Sequence, residues 1–368
     1  MQKKNNINNY DEANILITKE KKNQDYKQKI LDYISFSKIL ASYGVIVLHI
    51  NNFWKCNFKN KKKWIIANLY ESLFYYSVPF FVLCIGATLL NFNDRYGLIE
   101  YNKKRFIKVF IPLVGWTMIL YLYKVYILKN IKEEIFDFIS LYNYFFMSKL
   151  YHIFDSLHVF LTTYMLIPLV AYIEKSNKLK VYSYYFTVLL ITQTAIPYFI
   201  HLFGDKIIFI YRVKIGYLIY IFAGYIIHYH NFSKSFKLII YLLGTISFLI
   251  HLIGTHVLAF KYNKIIRLHK GYLNLPSVIY SCSLFLLIKD YSYIVIKILN
   301  RKYINKIGSL TLGPFFMHLA LKETIEQFTV FKLLANLNIL LFSLVIFLIC
   351  VILSAIIRKI QVLKILVP

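Results

Sequence analysis

A lysine and a histidine share one face of the first membrane-length apolar run, Ser37 to His49, and no other feature of the chain says as much about chemistry. Helical residues advance about 100° each, so the eleven steps from Lys38 to His49 make roughly three turns and set two aligned side chains about 16 Å apart. Ionisable groups are costly to keep in hydrocarbon, and those that persist there are expected to face a bundle interior or a wet cavity. In such a place a neutral imidazole at His49 can act as a general base toward a hydroxyl. An ammonium at Lys38 can bind an anionic phosphate or hold a second element in place. A plainer alternative stays open: Lys38 snorkels to headgroups and His49 hydrogen-bonds a neighbouring helix.

Further candidates follow along the chain. Lys103, Lys104, Arg105 and Lys108 precede Pro112 at the start of an apolar run. Such a cluster can signal topology, and it can also complement the phosphates of a nucleotide. His158 opens the run Ser156 to Tyr164, and His318 closes Gly313-Pro314-Phe315-Phe316-Met317-His318. Each alone reads as an interior hydrogen-bonded histidine, and their value lies in combination. His201, His228, His230, His251, His256 and His269 lie at the ends of apolar runs without metal-ligand spacing and read as interfacial. No metal site is expected. The stretch Val78 to Leu90 contains Gly86, which suits close helix packing.

The elements that must position these groups are membrane spans. Hydrophobic side chains make up 58% of the 368 residues and charged ones only 17%, with a mean hydropathy of +0.55, which excludes an ordinary soluble domain. The apolar runs are continuous rather than alternating, so helices are expected and a barrel is not. About ten spans are predicted, near 34–51, 67–90, 108–128, 157–173, 181–202, 213–229, 237–258, 272–289, 308–322 and 335–357. The fold class is therefore an all-α polytopic membrane protein with its helices in one bundle. Residues 1–30 are polar, lack the apolar core of a signal peptide and read as a mobile cytoplasmic tail, leaving 31–368 as the transmembrane domain. The connection 131–156 mixes acids with aromatics and reads as an amphipathic loop.

The formal net charge of +27 comes from basic residues in short connections between spans. There they meet lipid headgroups rather than nucleic acid. Their modest excess on the side of the termini predicts a cell-membrane protein with both ends cytoplasmic. Cys84, Cys282 and Cys350 lie in spans and Cys56 in a loop, so no disulfide framework is expected. Walker-type phosphate loops, dinucleotide fingerprints, H-E-x-x-H and G-x-S-x-G are all missing, which removes support for those chemistries. Acidic residues inside the spans are nearly absent, with Asp32 and Glu71 at edges, and that disfavours proton-driven transport.

Taken in order, these segments resemble the membrane-bound acyltransferase family 3. That family's basic residue, ten positions and histidine appear as Lys38 to His49. Its "VPLFFxxSG" is similar to Val78 to Gly86, its R-x-x-R to Arg105-Phe106-Ile107-Lys108, and its "HLWFL" to His158-Val159-Phe160-Leu161, without the tryptophan. Its late "SfgiYliH" is similar to Thr311 to His318, and its "GYfllGY" to Gly216 through Tyr225. Lysine stands for the usual arginine at 38 and 108, keeping charge but losing bidentate geometry. The resemblance implies an O-acyltransferase that takes an acyl group, often acetyl, from cytoplasmic acyl-CoA and places it on a hydroxyl of a surface carbohydrate or lipid-linked sugar. It implies His49 as catalytic residue, Lys38, Arg105 and Lys108 as acyl-CoA ligands, His158 and His318 near the acceptor, and acyl-CoA as co-substrate with no bound cofactor. A polysaccharide exporter or flippase component of the same fold is the alternative.

Overall fold

Inside a bilayer every backbone amide needs an internal partner, so apolar runs of this length fold as helices. The computed structural model describes residues 32–51, 53, 61–128, 154–203, 216–327 and 338–368, all of them helix, turn or irregular chain. The helices are α1 (Asp32–Asn51), α2 (Lys61–Phe74), α3 (Ser77–Leu89), α4 (Leu98–Ile127), α5 (Phe154–Ala171) and α6 (Lys178–Leu202). They continue as α7 (Leu218–Tyr229), α8 (Lys234–Tyr262), α9 (Leu275–Leu299), α10 (Arg301–Gly308), α11 (Leu312–Ile325) and α12 (Ile339–Lys359). Three helices contain π turns: Phe106–Phe110 and Tyr123–Ile127 in α4, Leu190–Ala195 in α6, and Ile250–Gly254 in α8. The expected tail 1–30 and most of the expected loop 131–156 lie outside the described residues.

Each of the ten expected spans overlaps a helix, but among the described residues only six stretches are long and apolar enough to cross a membrane unaided: α1, Lys61–Asp94, α4, α6, α8 and α12. The remaining four depart for local reasons. Helix α9 has 25 residues, but Lys289 and Asp290 interrupt its apolar face, and α11 has 14 and ends in charge. Helix α5 contains Pro168. Helix α7 is 12 residues long with ten of them buried, so protein rather than lipid surrounds it and lipid thickness does not set its length.

Contacts between helix termini define two ends of the bundle. At the end where α1 starts, Tyr33 Oη lies 2.5 Å from His228 Nδ1 near the close of α7. Asp32 accepts from Arg301 Nε at 2.7 Å and from Asn305 at 2.8 Å, tying α1 to α10. At the end where α1 finishes, Asn51 donates to the Ala67 carbonyl of α2 at 2.8 Å, and Tyr123 of α4 donates to the Ala320 carbonyl of α11 at 3.1 Å. The chain thus runs back and forth between a Lys38 end and a His49 end.

Helices α3 and α7 meet backbone to backbone at the centre. A Cβ on Gly86 would sit 2.0 Å from the Ile221 carbonyl oxygen, and one on Gly224 would sit 2.1 Å from that of Leu83. Two glycines facing each other's main chain let the helices approach as only small residues allow. Inward-turned lysines close helix ends: buried Lys178 donates to the Leu90 carbonyl at 3.0 Å just past α3, and half-buried Lys289 to the Ile227 and His228 carbonyls at 2.6 and 3.0 Å at the end of α7. An ammonium there satisfies orphan carbonyls and complements the helix dipole.

Two expectations need correction. His228, His251 and His269 are not interfacial but buried, because each has an interior partner: Tyr33, Ser277 at 3.0 Å and Tyr198 at 2.8 Å, respectively. Glu71, expected at a span edge, lies within the stretch Lys61–Asp94 and is buried, while Asp32 starts α1 as expected and is buried too. Asp32 is satisfied by its Arg301 and Asn305 contacts, and Glu71 stands 3.5 Å from Asn51 Nδ2.

Candidate active site

His49 sits in the last turn of α1, where the run Ala41 to Val47 buries the apolar side of the helix. Its ring centroid lies 5.2 Å from that of His318, with the planes tilted by 48°. His318 belongs to α11, whose buried face Gly313 to His318 packs into the core. The His318 Nδ1–H donates to the Pro314 carbonyl at 2.8 Å, which leaves Nε2 as a lone-pair acceptor, buried and without a hydrogen-bond partner among the described residues. A buried unsatisfied nitrogen beside a second imidazole is unusual in a packed interior, and it suits a site that waits for a hydroxyl donor. One turn farther along α11, Lys322 donates to the main-chain carbonyl of His49 at 3.0 Å and lies 3.8 Å from Glu326. Helix α11 therefore presents an imidazole and an ammonium, four residues apart, to the end of α1.

At the opposite end of the bundle the structure gathers cations. Lys108 lies within electrostatic reach of Arg105, Lys104, Arg358 and Lys38. Lys38 is half-buried and also faces Cys84 of α3. Arg105 stands over the rings of Tyr101 and Tyr164, 5.7 and 5.5 Å from their centroids, and its Nε is buried without a hydrogen-bond partner among the described residues. The Tyr101 hydroxyl donates to the Tyr164 carbonyl at 2.9 Å and fixes that pair. Lys104 is engaged by Glu100 at 2.7 Å. Among the described residues, no carboxylate forms an ion pair with Lys38, Arg105, Lys108 or Arg358.

A cleft of about 440 Å³ opens beside Arg105, walled by Tyr101, Asn102, Phe110, Leu161 and Tyr164. Neither Lys38 nor His49 is in its wall. Like charges without counter-charges repel, and an arriving anion relieves that repulsion. A guanidinium clamped by two aromatic rings keeps its fork oriented for phosphate.

Lys38, Arg105 and Lys108 thus come together at one end, and His49 and His318 at the other. His158 opens α5, and its side chain lies outside the described residues. Sequence reasoning missed Lys322, Arg358 and the tyrosine pair around Arg105. Lys322 sits four residues after His318, and that spacing was the available signal; Arg358 carried none, since its approach to Lys108 spans 250 residues. Among the described residues, no three His, Cys, Asp or Glu side chains form a metal-ligand group.

Comparison with known proteins gives one result and two blanks. An acyltransferase-domain profile of the acyltransferase 3 family matches residues 31–358. No curated protein and no solved structure matches the chain. The match covers nearly the whole chain, α1 to α11, α12 through Arg358 and both clusters, and the chain belongs to the acyltransferase 3 family of multi-pass membrane acyltransferases.

Proposed function

We propose that this membrane acyltransferase moves an acyl group, acetyl in the first instance, from cytoplasmic acyl-CoA to a hydroxyl of an extracytoplasmic glycan or lipid-linked sugar. The observation that carries the reading is the division of labour along α1. Lys38, Arg105, Lys108 and Arg358, none of them ion-paired to a carboxylate among the described residues, stand at one end, and two imidazoles 5.2 Å apart stand at the other. Arg105, Lys108 and Lys38, joined by Arg358, engage the phosphates of the nucleotide. The pantetheine arm then spans a distance of the order of the ~16 Å between Lys38 and His49.

His49 takes the proton of the acceptor hydroxyl as its oxygen attacks the thioester carbonyl. The C–O bond forms, the C–S bond breaks, and the CoA thiolate leaves to be protonated. His318 lends its Nε2 as an acceptor to a second hydroxyl of the sugar and so orients the acceptor beside His49. Lys322 is a positioning residue, because it holds the last turn of α1 by the His49 carbonyl. In this reading the Lys38 end faces the cytoplasm, both termini lie there, and His158 approaches the acceptor from the other side.

The test replaces His49 with Ala and measures acyl esters on the surface polymer together with polymer export. Loss of a general base predicts a fall in kcat of about 10²- to 10⁴-fold with export intact. Normal esters with blocked export would instead assign the chain to the exporter alternative.

A further inference from the structure

A second cleft, of about 740 Å³, opens at the His49 end, away from the histidine pair and the nucleotide cluster. His201 of α6, Lys261 at the close of α8, and Arg267, Lys270 and Asn274 of the connection to α9 line it, and none of its lining residues is acidic. The connection is held in shape. Lys270 N–H donates to the Arg267 carbonyl at 3.0 Å and Asn274 N–H to that of Gly271 at 2.9 Å. The Asn274 side chain closes back on the Leu268 carbonyl at 2.8 Å, and His269 is fixed to Tyr198 at 2.8 Å.

Lys270 forms the floor of the cleft. It is only 3% exposed, its Nζ donates to Ser72 Oγ at 2.8 Å, and it lies 4.6 Å above the ring of Phe53. Glu71 supplies one compensating negative charge to it. Lys261 and Arg267 add two basic side chains to the lining, and His201 adds a further donor. The floor is also wired to the catalytic end of α1. Asn51, two residues beyond His49, donates to Ala67 and lies 3.5 Å from Glu71, and the residue after Glu71 is the Ser72 that holds Lys270.

We propose that this cleft binds an anionic group, a carboxylate or a phosphate, borne by the acceptor, and so selects charged over neutral saccharides. The inference rests on the transferase reading for its biological sense, but the binding step does not depend on it. An anion in the cleft would sit over Lys261 and Arg267 with the Lys270 ammonium beneath, and its sugar would reach toward His49. Charge-assisted contacts from a guanidinium and an ammonium are of the kind that discriminate by tenfold or more.

The experiment measures binding of three probes to the full chain in nanodiscs of neutral phosphatidylcholine: a uronic-acid tetrasaccharide, a phosphorylated tetrasaccharide and a neutral tetrasaccharide of equal length. The expected result is at least tenfold tighter binding of one or both charged probes, with the preference weakened by salt. Arg267→Gln and Lys261→Gln should erase the preference, and Arg267→Lys should retain part of it. A folding defect would instead lower all three affinities together, and a competent fold is checked by a second probe, CoA binding at the Arg105 cluster. Equal binding of charged and neutral saccharides, or a preference untouched by both substitutions, overturns the proposal. Tight binding of the acidic saccharide with no acyl transfer to it from acetyl-CoA would keep the cleft and remove the transferase reading.

Discussion

Arg105 is the side chain whose environment most clearly anticipates a ligand, because two tyrosine rings flank it, its Nε is buried without a partner, and no carboxylate pairs with it among the described residues. Replacing it with Ala should raise the KM for acyl-CoA by about tenfold or more, the equivalent of losing about 1.5–3 kcal/mol of charge-assisted hydrogen bonding. The kcat at saturation should change little, because the reacting centre is at the far end of α1. Steady-state kinetics with detergent-solubilised enzyme check this, and a fall in kcat at unchanged KM would remove Arg105 from the nucleotide site.

Lys270 offers a pH test. Burial holds its pKa well below the ordinary lysine value of 10.5, and the Glu71 carboxylate opposes that shift only partly. The groups facing it are Glu71 and Tyr75 from the α2–α3 region, His251 of α8 and the adjacent His269. Between the depressed value and 10.5, the unfolded chain binds a proton that the folded chain has released. Stability from this group is therefore fully present above 10.5 and is lost as pH falls through the folded value. Raising the pH from 7 to 9 should increase the Tm of the wild-type protein relative to Lys270→Met, which has no proton to exchange. Thermal unfolding in detergent at the two pH values decides it, and parallel shifts in both proteins would refute the assignment.

At the scale of elements, the tightest joint is that between α3 and α7, where Gly86 and Gly224 face each other's backbone. The atoms in the way are main-chain carbonyls, which cannot rotate aside, so Gly86→Ala or Gly224→Ala must separate two helices. Each should destabilise by about 1–3 kcal/mol, the usual cost of overpacking, and the double variant should fall short of the sum because both act on one joint. Folded yield and Tm in detergent report the effect, and an unchanged Tm for both variants would mean that the helices are not in register as described. The lysine caps show how an element can hide in sequence. Lys178, Lys289 and Lys322 lie in or beside apolar runs, where a lone lysine reads as snorkelling to headgroups. Each instead turns inward to the carbonyls at another helix's terminus. Nothing local marks that choice, because the acceptor is the main chain of a segment far away in sequence, whatever side chains that segment carries.

For the whole molecule, positions of the spans were legible because about twenty apolar residues must form a helix in lipid, and the alignment of Lys38 with His49 was legible because phase within one helix follows from spacing alone. What could not be read was the partner of each. His49 meets His318, and Lys108 meets Arg358, across most of the chain, and such pairings are fixed by how helices pack rather than by any local pattern. The short, buried α7 shows the same limit, since a helix shielded by protein has no reason to match the bilayer's thickness. The separation of the two ends can be tested directly. In a Cys56→Ser background, Lys103→Cys and Lys261→Cys, both at exposed positions, should react with an impermeant maleimide from opposite faces of sealed vesicles. Labelling of both from one face would contradict the back-and-forth path.

The π turn at Phe106–Phe110 has a further consequence. It wedges one surplus residue into α4 directly after Arg105, and Lys108 lies within it. Deleting a single residue there would let α4 wind as uninterrupted α-helix with its two flanks near their present phase, and would redirect Lys108, which lies inside the turn, within the proposed phosphate grip with no basic side chain removed. Relatives that gain or lose one position in this loop of winding would thus change their grip on the donor by geometry alone, and a count of charges in their sequences would not show it.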